Sequence, residues 1–309
     1  MNTWVLILLI AFGLLIVLAI AVGVGFYTHP LAVNSYFERR ALKRAGGLRA
    51  RVIPVSTGNL MLWEGGDGPA VLLLHGAGDQ AGTWSKVVPQ LVGKYRVLVP
   101  DLPGHGESEP QNSPLDVEMM FSAVNELLAV VSPDEPVTIV GNSLGAWVAL
   151  LMAARQPEKV RRVVLVNGGA IRGDYKGPGL IPENVADARR LMVVLMGPEG
   201  EIVPNFVLKD VVQEAHKGPL VQLMANPSAM GASLLDGKLN EVKVPVDLLW
   251  GKLDQMFDLS YANRMMDGLS VARITILKDC GHVPQRQCPV HFTKELLKIL
   301  EEVPENQGE

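Results

Sequence analysis

From about residue 48 onward the chain carries short β-rich runs that are apolar on both faces: Ala70–Leu74, Arg96–Val99, Val137–Val140, Val163–Val166, Val246–Trp250 and Arg273–Leu277. A strand with no polar face cannot lie against water on either side. It must be covered twice, which is the condition of a parallel sheet with helices on both faces. Each run ends in a turn containing Gly, Pro or Asp, and helical patterns lie between them at Trp84–Val92, Leu115–Val131, Ala146–Gln156 and Val290–Glu302. Alternation of this kind predicts an α/β architecture. Arg49–Val55 and Leu60–Glu64 read as a hairpin leading in, with Thr57-Gly58-Asn59 as its turn. The runs together predict a mostly parallel eight-stranded sheet within residues 48–303.

Between Val166 and Val246 the rhythm breaks. Gly173, Gly177-Pro178-Gly179, Pro182, Gly197-Pro198 and Gly218-Pro219 divide this interval into helical pieces. A structureless loop of such length is implausible inside a compact domain. The interval predicts a helical cap over about residues 170–243, inserted after the sixth strand. Met192, Met196, Met224 and Met230 concentrate there. They suit either a flexible apolar ligand or the cap's own small core.

Trp4 to Phe26 contains no Asp, Glu, Lys or Arg. A spanning helix needs about 20 apolar residues, more than a signal peptide's hydrophobic region holds, and no basic residue precedes the run. Residues 1–28 are therefore expected to form one membrane anchor, in contact with lipid through residues 4–26. Arg39, Arg40, Lys43, Arg44, Arg49 and Arg51 follow the run. The positive-inside rule then sets the rest of the chain on the cytoplasmic side of a single-pass protein. Residues 29–47 read as a basic juxtamembrane linker, within which 33–46 could equally form an amphipathic helix on the headgroups. Residues 304–309 read as a tail.

The formal net charge of −4 gives no basic excess for nucleic acid, and basic and aromatic residues are not interleaved as single strands require. The only cysteines are Cys280 and Cys288. They form no CxxC pair, so neither a metal nor a redox site is expected from them. Two thiols eight positions apart could close a small disulfide loop, but a chain of this size does not need disulfides to fold, and Cys280 is expected to be a small buried filler.

Chemistry is carried by three segments. Gly141-Asn142-Ser143-Leu144-Gly145 follows a β-run and precedes a helical one. A sharp strand-to-helix turn there raises the Ser143 hydroxyl above the sheet edge, with a helix N-terminus beneath it to favour negative charge. His75-Gly76-Ala77-Gly78 follows Val71–Leu74, and Asp101-Leu102-Pro103-Gly104-His105-Gly106-Glu107-Ser108 follows Arg96–Val99.

Taken together, HGxG, D-x-P-G-x-G-x-S and G-x-S-x-G resemble the α/β-hydrolase superfamily over roughly residues 50–300. The diffuse likeness within it is to membrane-anchored monoacylglycerol lipases and related esterases. The resemblance implies the chain order Ser, Asp, His for a catalytic triad. Gly251-Lys252-Leu253-Asp254 resembles the family's W-G-x-x-D when read from Trp250, which makes Asp254 the acid, with Asp258 as fallback. Gly281-His282 resembles the family's late G-H and makes His282 the base. Backbone N–H groups of Ala77 and Leu144 are the implied oxyanion donors, and Asp101 and His105 are implied to be scaffold. Trp84, Met256 and Phe257 are candidate pocket walls, and the two aromatics could equally belong to the core. No cofactor or metal is implied.

The expected reaction is hydrolysis of a lipophilic carboxylic ester, monoacylglycerol-like, through an acyl-enzyme. Gly-Asn-Ser-Leu-Gly also resembles the elbow of hydrolases that cleave carbon–carbon bonds in ring-fission products, whose lid arginine Arg189 or Arg190 would supply. The non-enzymatic alternative is a binding protein that keeps the fold without its chemistry, which ordinarily lacks one of these residues.

Overall fold

The structure, a computed structural model, describes residues 2–225 and 227–302. The expected tail 304–309 lies outside the described residues. The strands are β1 (Arg49–Val55), β2 (Gly58–Gly65), β3 (Ala70–Leu74), β4 (Arg96–Pro100), β5 (Val137–Asn142), β6 (Val160–Val166), β7 (Val246–Gly251) and β8 (Ala272–Leu277). They form one eight-stranded sheet in the order β1-β2-β4-β3-β5-β6-β7-β8. β2 pairs antiparallel with β1 and β4, and every other pairing is parallel. The hairpin turn falls earlier than Thr57-Gly58-Asn59. Val55 pairs with Gly58, so Ser56 and Thr57 make the turn.

The helices in chain order are α1 (Thr3–Thr28), α2 (Pro30–Ala45), α3 (Val88–Leu91), α4 (Val117–Val131), α5 (Leu144–Arg155), α6 (Val185–Met196), α7 (Asn205–Ala215), α8 (Pro219–Met224), α9 (Pro227–Ala232), α10 (Leu259–Gly268), α11 (Pro284–Gln287) and α12 (Pro289–Glu301). α4 begins where Asp116 accepts a hydrogen bond from Met119 N–H, an N-cap that satisfies one orphan donor. The helix expected over Trp84–Val92 is broken into a 3₁₀ turn, Ala81–Trp84, and the single turn of α3. α6 to α9 occupy the interval between β6 and β7, where the cap was expected.

Period-two alternation divides the strands between two cores. Leu72, Leu74, Ile139, Leu165 and Leu248 face α4, α5 and α10 through Leu127, Leu151 and Met265. Val71, Leu73, Val97, Val140, Val164 and Leu249 face the other side, against Trp84, Leu91, Phe292 and Leu296. Burial of each such Leu or Val contributes roughly 1.5–3 kcal/mol, and the doubly covered strands collect it on both faces.

α1 has a mean hydropathy of 3.4 over its most apolar window and no buried residue, which makes it long and apolar enough to cross a membrane. Residues 29–47, expected as a linker, form α2, and α2 lies on the protein. Leu42 is fully buried in the second core, while Tyr36 and Phe37 remain 56% and 59% exposed. The junction of α1 and α2 also meets the cap: Tyr27 of α1 stacks on Phe206 of α7 at 5.2 Å, and Leu31 N–H of α2 donates to Asp210 Oδ2 at 2.9 Å.

The turn after β4 is scaffold. Asp101 accepts from Ala81 N–H at 2.6 Å and from Glu107 N–H at 2.9 Å, and the Ser108 hydroxyl donates to the Asp101 carbonyl at 2.7 Å. His105 donates from Nδ1 to the Pro103 carbonyl at 2.9 Å and is fully buried. Burial, then the neighbouring His75, lower its pKa to about 3. The folded protein thus keeps His105 neutral while the unfolded chain protonates it near pH 6.5. Its contribution to stability is complete above that value and lost as pH falls toward 3. Between pH 7 and pH 5 the loss should be about 2 kcal/mol. Urea unfolding at the two pH values measures it, and His105→Asn, which takes up no proton, should flatten the slope by that amount.

Candidate active site

Ser143 stands between β5 and α5 with φ 53° and ψ −113°. For a residue with a side chain this conformation costs on the order of 1–3 kcal/mol and persists only where the surroundings fix it. Ser143 N–H donates to the Val166 carbonyl at 3.0 Å, and the Ser143 carbonyl accepts from Ala146 and Trp147 in the first turn of α5. The chain must also come very close to its neighbours. A methyl group on Gly145 would lie 2.4 Å from the Leu74 carbonyl oxygen, and one on Gly168 would lie 2.6 Å from Ser143 Cα. Glycine is therefore required at both positions, and the second was not singled out in the sequence.

His282 and Asp254 are paired in the interior. Their Nδ1 to Oδ2 distance is 2.8 Å, with side chains 5% and 0% exposed. An ionised carboxylate only accepts, so Nδ1 carries the proton and Nε2 is the free acceptor of the ring. The remaining acceptor sites of Asp254 are filled: Oδ1 takes Met256 N–H at 2.8 Å and Phe257 N–H at 3.1 Å, and Oδ2 takes Asn167 Nδ2 at 2.7 Å. Asn167 in turn accepts from Gly251 N–H at 2.9 Å. It sits at φ 47°, a region in which Asn is enriched. Sequence reasoning missed Asn167, and its place immediately after β6, at the foot of the cap, is the signal that could have found it.

The residue before the serine joins the base to the sheet. Asn142 donates from Nδ2 to the carbonyls of Val166 at 3.0 Å and His282 at 2.9 Å, and accepts from Gln285 Nε2 at 3.0 Å. The HGxG loop is fixed by its histidine. Leu102 N–H donates to His75 Nε2 at 2.9 Å, so Nδ1 bears the proton and donates to the Gly76 carbonyl at 2.8 Å. In a trans peptide C=O and N–H point in opposite directions, which turns Ala77 N–H away from the His75 ring. A methyl group on Gly76 would lie 3.3 Å from Ser143 Cβ, so this loop runs directly past the serine. Leu144 N–H is one of the four donors that the start of α5 leaves without a helical partner.

Four expectations need correction or narrowing. Trp84 is not a pocket wall: it is fully buried in the second core, with its ring 6.0 Å from that of Phe292. The carboxylate paired with the base is Asp254 and not the fallback Asp258, which caps α10 by accepting from Ser260 and Tyr261 N–H. The Arg189 guanidinium is held by the Glu201 carbonyl and by Asn205 Oδ1, and that of Arg190 by Asp187, all within the cap. Cys280 is buried but not free. It is bonded to Cys288 with a Cα–Cα separation of 6.0 Å, and the bridge encloses Gly281 and His282.

Met256 and Phe257 do flank the acid. Both are half-buried, and the Phe257 ring lies 5.7 Å from His282 and 4.6 Å from Tyr261. Met256 lines a cleft of about 230 Å³ with Tyr175, Val194, Gln255 and Tyr261. A wider cleft of about 700 Å³ along α6 shares Val194 and Gln255 with it. Met192, Met196 and Met224 are half-buried in the cap, and the side chain of Met230 lies outside the described residues.

This sheet order, with a strained serine after β5 and a buried acid–histidine pair after β7 and β8, has counterparts. The sequence matches the alpha/beta hydrolase family over residues 71–295. The chain belongs to that family. It is 29% identical over 245 residues to a pimeloyl-[acyl-carrier protein] methyl ester esterase of Nitrosomonas europaea, covering 74% of this chain and 94% of that one. It is 26% identical over 266 residues to a 2-hydroxy-6-oxononadienedioate/2-hydroxy-6-oxononatrienedioate hydrolase of Cupriavidus pinatubonensis, covering 76% and 88%. A bacterial membrane phospholipase A of known structure superposes with a TM-score of 0.75 at 25% identity, covering 94% of this chain and 97% of that one. The chain is a hydrolase by family, with esterase, lipase and carbon–carbon hydrolase relatives.

Closure of a loop this short by the Cys280–Cys288 bond should contribute about 2–3 kcal/mol. Cys288→Ser, or treatment with dithiothreitol, is expected to lower the unfolding free energy by that amount. Thermal melts of oxidised and reduced protein check it.

Proposed function

We propose that this protein is a serine hydrolase that cleaves a lipophilic carboxylic ester, with Ser143 as nucleophile, His282 as base and Asp254 as acid. The observation that carries the reading is the buried 2.8 Å pair between His282 Nδ1 and Asp254. It leaves the other ring nitrogen free to accept, on a loop that Asn142 ties to the serine's own strand. His282 Nε2 takes the proton from Ser143 Oγ as that oxygen attacks the ester carbonyl. Asp254 keeps the tautomer and stabilises the imidazolium. Ala77 and Leu144 N–H groups receive the oxyanion, each effect worth about 3 kcal/mol in comparable sites. His282 returns the proton to the leaving alcohol, and water repeats the cycle on the acyl-enzyme.

The proposed substrate is a single-chain lipid ester such as a monoacylglycerol. What supports this reading is that α1 is long and apolar enough to cross a bilayer, and that relatives are named as a methyl ester esterase and a membrane phospholipase A. The relative named for a 2-hydroxy-6-oxo substrate supports carbon–carbon cleavage as the second reading.

The side of the membrane rests on two features that oppose each other. The basic residues after α1 favour the cytoplasm. Part of that charge is already used in packing, however: Arg39 lies 3.8 Å from Glu107, and Arg51 is paired with Glu64. Disulfides persist in oxidising compartments, so the Cys280–Cys288 bond favours the outer side, and that is the side we propose.

Hydrolysis of p-nitrophenyl esters from acetyl to palmitoyl by detergent-solubilised protein should peak at medium or long chains. Ser143→Ala should lower kcat by 10³-fold or more, the order expected on losing a triad member. Turnover that survives in Ser143→Ala would discard the assignment. Ser143-dependent turnover of a 2-hydroxy-6-oxo dienoate, without ester turnover, would replace it by the second reading.

A further inference from the structure

Four residues beyond His282, Arg286 reaches across to two other parts of the chain. Its Nη2 donates to Asp79 Oδ1 at 2.6 Å, and its Nε donates to Thr83 Oγ1 at 2.8 Å and Asp79 Oδ2 at 3.3 Å. Its Nη1 donates to Glu38 Oε1 of α2. The second Glu38 oxygen accepts from Gln80 Nε2 at 2.9 Å. Asp79 and Gln80 directly follow His75–Gly78, the segment that carries Ala77 N–H. Contact with α2 is close: a methyl group on Gly82 would fall 2.7 Å from Glu38 Cβ. Next to Arg286, Gln285 bonds Asn142, the residue before the serine.

Three segments far apart in sequence therefore meet at one guanidinium: the base-bearing loop, the loop past the serine, and the helix that continues from α1. Arg is suited to this because its planar fork meets two carboxylates at once, which an ammonium cannot do in the same geometry. Burial works to raise the Asp79 carboxyl, yet the charge and hydrogen bonds of Arg286 outweigh it and hold the group below its ordinary value.

We infer that Arg286 and Glu38 are positioning residues for the hydrolytic site, through which the seating of α2 sets the spacing between the Ala77 loop and His282. The inference rests on the serine-hydrolase reading. Neither residue touches substrate. Their effect falls on groups that work hardest in the transition state, so it belongs in kcat rather than KM.

The test uses full-length protein in detergent with a medium-chain p-nitrophenyl ester, and kcat is expressed per Ser143 labelled by a fluorophosphonate. Glu38→Gln keeps the side chain's size and leaves the Arg286–Asp79 pair in place. It should lower kcat about 10-fold with KM within about 2-fold of wild type. Arg286→Lys keeps the charge and loses the fork, and should give a similar loss. The double variant should lose little more than either single one, because both act through one contact. Wild-type kcat in Glu38→Gln, a change confined to KM, or losses that multiply in the double variant would each overturn the inference while Ser143-dependent turnover stands. Absence of such turnover in the wild type would remove the hydrolase reading, and this inference with it.

Discussion

The Asn142 side chain is fully buried, and it binds the carbonyl at the end of β6, the carbonyl of His282 and the amide of Gln285. Buried amide groups that lose a partner incur a desolvation penalty of about 1–3 kcal/mol each, so this arrangement is strongly preferred over any slipped one. Through it, the end of the central strand and the late loop are fixed to each other before any substrate arrives. The strained turn at Ser143 follows directly. It is tolerable because the residue before it is anchored on both sides and because Gly145 and Gly168 leave room. Asp254 is placed by the same logic just beyond the end of β7, where Asn167 and two backbone N–H groups fill its acceptor sites.

Much of this was legible in the sequence. Strands apolar on both faces admit few solutions, and the eight runs appear in the sheet with their ends shifted by a few residues. Ser143, Asp254 and His282 were legible because each follows a strand in a fixed chain order. The structure brings the last two together and leaves the elbow where the motif put it. Trp84 was misplaced because an aromatic beside a functional loop looks the same whether it faces ligand or core, and only the position of Phe292 decides. The cysteine pairing was illegible because it depends on α11 folding back to set Cys288 beside Cys280, and eight residues of spacing permit that without requiring it. Asn167 was hidden because its role depends on a positive φ and on a partner far away in the chain. The docking of α2 escaped because its basic character suggests solvent, while the residues that seat it include the buried Leu42, Glu38 and one of those basic residues, Arg39.

The charges around the site divide into two kinds. The Asp254–His282 pair is sealed from water and chemically active in the proposed reaction. The Glu38–Arg286–Asp79 cluster is partly open to solvent and joins pieces of chain. Exposed ion pairs are worth little, but one that bridges three segments acts on geometry rather than on global stability. On the inferred positioning role, this is the route by which a helix outside the sheet bears on the proposed reaction above it.

Stacking of Tyr27 on Phe206 fastens α7 to the end of α1, and the hydrogen bond from Leu31 to Asp210 fastens it to the start of α2. One side of the cap is therefore riveted to the two N-terminal helices, and α7 cannot swing away from them without tearing that joint.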